Sequence, residues 1–377
     1  MKITSAPKGI PAHYKYVFVC GLHRSGTSIL GRNIARLENC TGFKNTGVTE
    51  DEGQFLQRVY PIAFAYGGPG RFGFDARAHR TEKSPLLTTE NVAKLQASWH
   101  AHWDKSKAIC VEKTPSNILM TRFLQTVFPN SYFIVIRRHP IAVSIANQKM
   151  WRVNITPLHR LLEHWLHCHE LFEEDKKYLK NVYKLTYEDY VQNSARHHQE
   201  IAAFIGTHVP KLPKDGTYRH VVHVANQGSS RVPEEAMEEV SDALNAKYFE
   251  RWSNLLRNSF FSDYYQYIAR KYEPEFNKYG YSLTEGTQKG GGKVFDQGHK
   301  ISPAVGGSYC LAADAYTLMW RISAQAKEKL VQIFKAVLSK TVIRKLGRSS
   351  GKESVGKEAT NSHASKPEST PIYAIRR

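Results

Sequence analysis

Apolar residues come in short continuous runs that alternate with segments of helical period. The first run, Tyr16–Cys20, is β-branched-rich and reads as a buried strand. Behind it, Ile29, Leu30, Ile34 and Leu37 recur at helical spacing, which predicts a helix over Ser28–Leu37. Residues 41–85 have little period and much glycine, proline and charge, the signature of a functional loop or lid. A helix over Thr88–Trp103 then leads to a short strand, Ala108–Val111. Ser116–Phe128 reads as a helix stopped by Pro129. Tyr132–Ile136 is strongly apolar, as a central parallel strand should be. Helices over Pro140–Lys149 and Leu158–Leu179, a strand at Asn181–Leu185, and helices over 198–206 and 234–272, the last broken near Trp252, complete the series. Alternating strands and helices imply an α/β fold, a doubly wound parallel sheet flanked by helices.

The pattern changes after residue 285. Gly286–Gly292 reads as a linker, Leu311–Leu346 as a helical extension, and 347–377, rich in Ser, Lys, Glu and Pro, as a disordered tail. The expected division is a main domain over 14–285, a linker with helical extension over 286–346, and a basic tail over 347–377.

With 41% hydrophobic residues in 377, a large core is affordable, yet no stretch approaches the roughly 20 apolar residues of a membrane span. Met1–Ala12 has no apolar signal-peptide core, so a chain that starts at Met1 is expected in the cytoplasm. The five cysteines are scattered without a C-x-x-C pair and read as buried small residues. The net charge of +19 favours an anionic partner: a nucleotide, an acidic glycan, a nucleic acid or a membrane surface. From Lys340 onward nine Lys/Arg face three Asp/Glu, so the tail itself invites a polyanion or anionic surface. No zinc-finger, helix-turn-helix or RNP pattern accompanies that charge.

The chemistry concentrates after the first strand, in Gly21-Leu-His-Arg24-Ser25-Gly26-Thr27-Ser28. Strand, glycine-spaced loop and helix start make an anion cradle of backbone N–H groups and partial positive charge. The G-x-x-x-x-G spacing of a nucleotide phosphate loop is intact, but Thr27 stands where an NTPase places its lysine. The fixed cation is Arg24, inside the loop. Gly21, Arg24, Ser25, Gly26, Thr27 and Ser28 are thus the candidate phosphate ligands. A second basic cluster, Arg137-Arg138-His139-Pro140, ends the Tyr132–Ile136 strand, with Ser144 on the following helix. Ligands of doubly wound sheets bind at such strand ends, and the cluster suits a second phosphate.

The R-S-G-T-S loop resembles the 5′-phosphosulfate-binding loop of sulfotransferases, whose donor is 3′-phosphoadenosine-5′-phosphosulfate (PAPS). The cluster around Arg138 is similar to their 3′-phosphate element. That element usually has its serine eight residues after the arginine. Here that place is Ala146, and Ser144 lies six after. Glu112-Lys113-Thr114-Pro115 resembles the E-K-T-P element of glycan sulfotransferases, whose lysine reaches the donor. Thr186-Tyr187-Glu188-Asp189 resembles their Y-E-D element, which we read as structural. The resemblance spans about residues 14–195 and implies PAPS as cofactor without a metal.

Sulfuryl transfer needs a base for the acceptor proton and cations on the bridging oxygen. The resemblance supplies Arg24 and Lys113 as cations. For the base, Glu50-Asp51-Glu52 follows the first helix, and Glu52 ranks before Glu50. The same acidic cluster would also favour a helix over Gly53–Tyr60 through its dipole. Glu112 is a rival base, or a partner for Lys113 or Arg24. His164, His167 and His169 share a helix but lack a convincing metal spacing, so no metal is expected. The expected activity is transfer of a sulfuryl group from PAPS to a hydroxyl or amine, with a glycan as one acceptor class. The alternatives are a P-loop kinase or NTPase, and a basic anion- or nucleic-acid-binding protein. Phe64, Tyr66, Phe72 and Phe74 suggest a flat apolar face for the acceptor.

Overall fold

The computed structural model describes residues 13–151, 155–210, 243–285 and 301–349. Five parallel strands form one sheet: β1 (Lys15–Gly21), β2 (Cys40–Gly42), β3 (Ile109–Lys113), β4 (Ser131–Arg137) and β5 (Val182–Thr186), in spatial order β2-β3-β1-β4-β5. The α-helices are α1 (Thr27–Ala35), α2 (Thr89–His100), α3 (Thr121–Val127), α4 (Pro140–Met150), α5 (Leu158–Lys176), α6 (Tyr187–Gln192), α7 (Ser194–Ile205), α8 (Ala243–Asn258), α9 (Ser262–Asn277) and α10 (Pro303–Ser349). The described chain divides into two compact units, one ending at Arg321 and one beginning at Ile322. The sheet and all the candidate site residues belong to the first.

The alternation of side chains along β1 explains why the strand is apolar throughout. Val17 and Val19 enter one core with Leu30 and Ile34 of α1 and Ile201 and Ile205 of α7. Tyr16, Phe18 and Cys20 enter the other, with Trp99 of α2, Phe128, and Trp165 of α5. A strand covered on both faces must be hydrophobic at every position. Trp99 and Phe128 stack with centroids 5.4 Å apart and planes 2° from parallel, and Trp99 donates to the Gly53 carbonyl at 2.9 Å. The large core thereby anchors the irregular segment after β2.

Register positions the site. Val19 lies opposite Lys113 and Gly21 opposite Ile136. The loop that leaves β1 therefore emerges between the ends of β3 and β4, where Lys113 and Arg137-Arg138 wait. The chain builds one flank of the sheet, then crosses to the other, which makes this edge the switch point.

Some expected elements differ. Cys40–Gly42 pairs with β3 as a strand too short to show a pattern. The expected helix over 116–128 is a 3₁₀ turn, Pro115–Leu119, then α3, with the break at Met120, whose φ is −130°. The expected helix over 53–60 is only a 3₁₀ turn at Gly53–Phe55. The Gln57 side chain accepts from the Val59 and Tyr60 N–H groups and closes a turn there instead. The break foreseen near Trp252 falls between Asn258 and Ser262. Trp252 is buried inside α8 and donates to the Leu283 carbonyl at 2.9 Å, while Ser259 accepts the N–H groups of Phe261 and Ser262 at the corner. Four of the cysteines are buried, Cys310 is half-buried, and all are free. The linker candidate over 286–292 and residues 350–377 of the tail lie outside the described residues, while 347–349 belong to α10.

Candidate active site at the strand ends

The loop after β1 has an unusual backbone. Gly26 has φ +93° and caps α1, and Arg24 has φ +74°. A non-glycine residue held left-handed costs roughly 1–2 kcal/mol, which the surroundings must offset. Arg138 supplies part of that, donating to the Arg24 carbonyl at 2.9 Å, and Asn147 donates to the His23 carbonyl at 3.3 Å. A Cβ on Gly26 would stand 2.5 Å from a ring carbon of Tyr187. An edge of the aromatic ring therefore lies against the turn, and only glycine fits both the φ and the space.

Ser25 is fully buried, and its hydroxyl has no partner; neither has the Arg24 Nε. Buried polar groups are nearly always paired. Two orphans in one glycine-shaped loop at a helix start are what an anion-binding cradle leaves when its anion is not counted. The residues present fit a phosphate. His23, in the same loop, is held neutral: burial, then Lys113 and Arg24, pull its pKa down to about 3.

Lys113, at the end of β3, donates to Glu52 Oε1 at 3.0 Å and to the Glu50 carbonyl at 3.2 Å. Gln54 donates to the other Glu52 oxygen at 2.6 Å. Glu52 and Lys113 are each about nine-tenths buried. The stem of Lys113 crosses α1 at Gly31, where a Cβ would meet the Lys113 Cβ at 2.9 Å. Ser28 donates to the Glu50 carboxylate at 3.2 Å. Burial raises the Glu50 pKa, but Lys113, the Ser28 hydrogen bond, Arg32 and Arg24 outweigh it and hold the carboxyl below its ordinary value. Both Glu50 and Asp51 are left-handed, at φ +55° and +49°. Asp51 faces away from this pair and accepts from the Thr46 N–H at 2.8 Å.

The rival carboxylate, Glu112, pairs with neither Lys113 nor Arg24. It is fully buried and accepts from Gly53 N–H at 2.9 Å, from the Thr114 hydroxyl, and from Asn117 at 2.6 Å. Burial raises its pKa to about 7; the Thr114 and Gly53 hydrogen bonds oppose the rise and the Glu52 charge adds to it. Glu112 ties the 53 turn to the end of β3.

Arg138 is buried and runs beneath the loop. Its Nε and Nη2 both donate to Asn245 Oδ1, at 2.9 and 2.6 Å, and its guanidinium lies 4.0 Å from the Tyr187 ring centroid. Ser144 is fully buried with an unpartnered hydroxyl. It lines a cavity of about 10 Å³ with His23, Gly70, Asn147 and His164, roughly the room of one water molecule. The structure brings Arg24, Ser25, Lys113, Glu52 and Arg138 around one loop, while Ser144 faces this small cavity on the α5 side.

Two contributors carried little sequence signal. Tyr187 lies in the Y-E-D element, but its packing against Gly26 depends on the register of β4 and β5. Asn245 is 107 residues from Arg138, and no local pattern marks it. Glu188 of the same element is structural. It accepts the His139 N–H at 2.9 Å and the Tyr281 hydroxyl at 3.2 Å, and so closes the start of α4. The aromatic quartet of the 41–85 segment does not form one open face: Phe72 is core and Phe74 half-exposed, and the Tyr66 hydroxyl accepts from Arg80 at 2.5 Å. Among the described residues no three His, Cys, Asp or Glu gather as metal ligands. His164 accepts the Gly73 N–H at 3.1 Å instead.

A sulfotransferase family profile matches residues 17–211, more than half of the chain. Among curated proteins, none matches this sequence. Solved structures with a likeness include the sulfotransferase domain of the Synechococcus PCC 7002 olefin synthase, at 16% identity over 55% of this chain and 78% of that one, TM-score 0.36. A second is the Mycobacterium tuberculosis H37Rv sulfotransferase STF1, at 13% identity over 54% and 69%, TM-score 0.32. A third is the mouse sulfotransferase SULT7A1 complexed with PAP, at 15% identity over 67% and 88%, TM-score 0.30.

Proposed function

The chain belongs to the sulfotransferase family, and from that premise we propose that it moves a sulfuryl group from PAPS to a hydroxyl or amine of its acceptor. The observation that carries the reading is the loop itself: left-handed Arg24 and Gly26, with the orphaned Ser25 hydroxyl and Arg24 Nε beside them. In this reading Gly21, Arg24, Ser25, Gly26, Thr27 and Ser28 hold the 5′-phosphosulfate. Arg138, at the neighbouring strand end, serves the 3′-phosphate, with Ser144 as its weaker companion. PAPS, when bound, supplies an activated sulfuryl group on a phosphate leaving group.

Lys113 and Arg24 place positive charge where negative charge develops, the largest electrostatic contribution an enzyme makes. Glu52 takes the acceptor proton. In the resting site Lys113 occupies one Glu52 oxygen. An ammonium has three N–H donors. When Lys113 turns one toward the donor side, Glu52 regains an oxygen lone pair on the acceptor side. The acceptor enters over the segment 41–85, where Phe74 offers apolar surface; a sugar hydroxyl is the acceptor class suggested by Glu112-Lys113-Thr114-Pro115.

Calorimetric titration with adenosine 3′,5′-bisphosphate, with and without magnesium, tests this reading. Tight binding that ignores magnesium and exceeds AMP binding supports it. Magnesium-dependent binding of ATP in preference would return the site to a kinase or NTPase.

A further inference from the structure

Three buried polar atoms without partners belong to residues that line one cavity beside the loop after β1. Ser144 Oγ and Asn147 Oδ1 come from neighbouring turns of α4, and His23 Nδ1 comes from the loop itself. The cavity measures about 10 Å³, the room of one water molecule. The other polar side chain at its wall, His164, is already engaged: its Nε2 accepts the Gly73 N–H at 3.1 Å. Leu22, Val143 and Leu161 make the wall otherwise apolar, so no other side chain of the lining can pair the three. Buried polar atoms are nearly always paired, and three orphans at one water-sized space point to a shared partner.

The chemistry of the set favours water over an ion. None of the three side chains is charged, since burial, then Lys113 and Arg24, hold His23 neutral. A neutral imidazole offers one donor and one acceptor. Asn147 gives its amide N–H groups to the His23 and Val143 carbonyls, at 3.3 and 2.8 Å, which leaves its Oδ1 to accept. The Ser144 hydroxyl can donate. One water satisfies all three: it accepts from Ser144 and donates to Asn147 Oδ1 and His23 Nδ1. That arrangement puts the His23 proton on Nε2. We propose that a buried water at this place ties α4 to the loop, and that Ser144, acting through it, is a positioning residue for the 5′-phosphate cradle. Residue 23 is then held at two points, its carbonyl by Asn147 and its ring by the water. It precedes Arg24, whose φ of +74° persists only if the surroundings fix it. The proposal rests on the reading of Gly21–Ser28 as the 5′-phosphosulfate site, and it gives the Ser144 hydroxyl a partner other than the 3′-phosphate.

The test compares the full chain with Ser144→Val, which removes the hydroxyl and puts a methyl group in the space, and with Ser144→Ala, which removes the hydroxyl and adds no bulk. Magnetic relaxation dispersion of water oxygen, on the proteins without ligand, should count one fewer long-lived internal water in Ser144→Val than in the original chain. Nitrogen NMR of the original chain should show His23 protonated on Nε2, with Nδ1 accepting a hydrogen bond. Calorimetry should find AMP and adenosine 3′,5′-bisphosphate weakened alike in Ser144→Val, by about three- to tenfold, with the fold retained by circular dichroism. Ser144→Ala should move both affinities the same way by a smaller factor, and it decides the matter if Ser144→Val does not fold. A loss confined to the bisphosphate would put Ser144 on the 3′-phosphate and overturn the proposal. So would an unchanged count of internal waters, a His23 proton on Nδ1, or AMP affinity untouched by both variants. If the original chain binds neither nucleotide, the donor reading itself falls, while the water count and the His23 tautomer still decide for or against the water.

Discussion

Lys113 and Glu52 form one nearly buried ion pair, Nζ to Oε1, 3.0 Å, so the lysine at the end of β3 and the carboxylate of the 49–52 turn act as a unit. Lys113 also grips the Glu50 carbonyl. This places the strained turn, with left-handed Glu50 and Asp51, under the control of the same ammonium. Strain of this kind persists only where the surroundings over-determine it. Any change at one member of the pair is therefore felt by the other.

Non-additivity is the first expectation. Glu52→Gln should cut turnover by about 10²–10⁴ and leave bisphosphate affinity near its original value, because the donor side is intact. Lys113→Ala should lower turnover and also weaken the bisphosphate. The double variant should be little worse than the more damaged single one, as for residues that work together. Initial rates and calorimetry on the four proteins decide it. Fully additive losses would mean that the two residues act independently. A collapse in Glu50→Gln with near-normal Glu52→Gln would move the base to Glu50.

Arg138 separates contact from support. Its guanidinium is fixed by two bonds to Asn245 Oδ1 and one to the Arg24 carbonyl. Arg138→Ala should weaken the bisphosphate about tenfold or more, since charge-assisted hydrogen bonds contribute about 1.5–3 kcal/mol each, yet spare AMP. Asn245→Ala should weaken the bisphosphate less than Arg138→Ala, because the charge remains and only its orientation loosens. Equal losses for AMP and the bisphosphate in Arg138→Ala would confine the arginine to holding the loop.

Gly31→Ala offers a sharper steric probe. In a helix interior alanine is favoured over glycine by about 1 kcal/mol, so a bland reading expects stabilisation. The new Cβ would meet the Lys113 Cβ at 2.9 Å and Cγ at 3.0 Å, and a Cβ next to strand backbone has little freedom to yield. Turnover should drop and Lys113 should lose its hold on Glu52, with the fold retained by circular dichroism. A more stable protein of unchanged activity would show that the lysine stem has room to move.

Most of the sheet could be read in advance because both faces of β1 and β4 are buried, which makes their sequences continuously apolar. The cradle was legible for a similar reason: Gly21 and Gly26 mark a turn that other residues resist. What was hidden is set by distance. Asn245 reaches Arg138 only because α8 packs on α4, and Trp252 sits inside α8 with its indole N–H donated to the Leu283 carbonyl. The acidic turn was readable as chemistry but not as geometry. Nothing local says that the Gln57 side chain would accept the Val59 and Tyr60 N–H groups and so close a turn where the helix is expected.

Glu112 makes stability depend on pH in a direction that can be worked out. Its carboxyl titrates at about 7 in the fold against 4.5 for the reference group, chiefly through burial. The folded chain therefore binds this proton more tightly than the unfolded chain. The unfolding free energy falls as pH rises from about 4.5 to about 7 and then levels off, a loss on the order of 3 kcal/mol. The buried His23, His139 and His164, each with a pKa lowered to about 3 mainly by burial, act oppositely: their contribution is present above 6.5 and lost as pH falls. Comparison with Glu112→Gln isolates the carboxylate. Glutamine keeps one oxygen for Gly53 and Thr114, and its amide would face Asn117, whose Oδ1 is buried and without a partner. A flip of the Asn117 amide turns that oxygen to accept, so the variant should fold. Urea unfolding from pH 5 to 8 should show the difference in stability between the variant and the original protein moving in the variant's favour as pH rises. Parallel curves would mean that Glu112 titrates at its ordinary value and is ionised throughout this range.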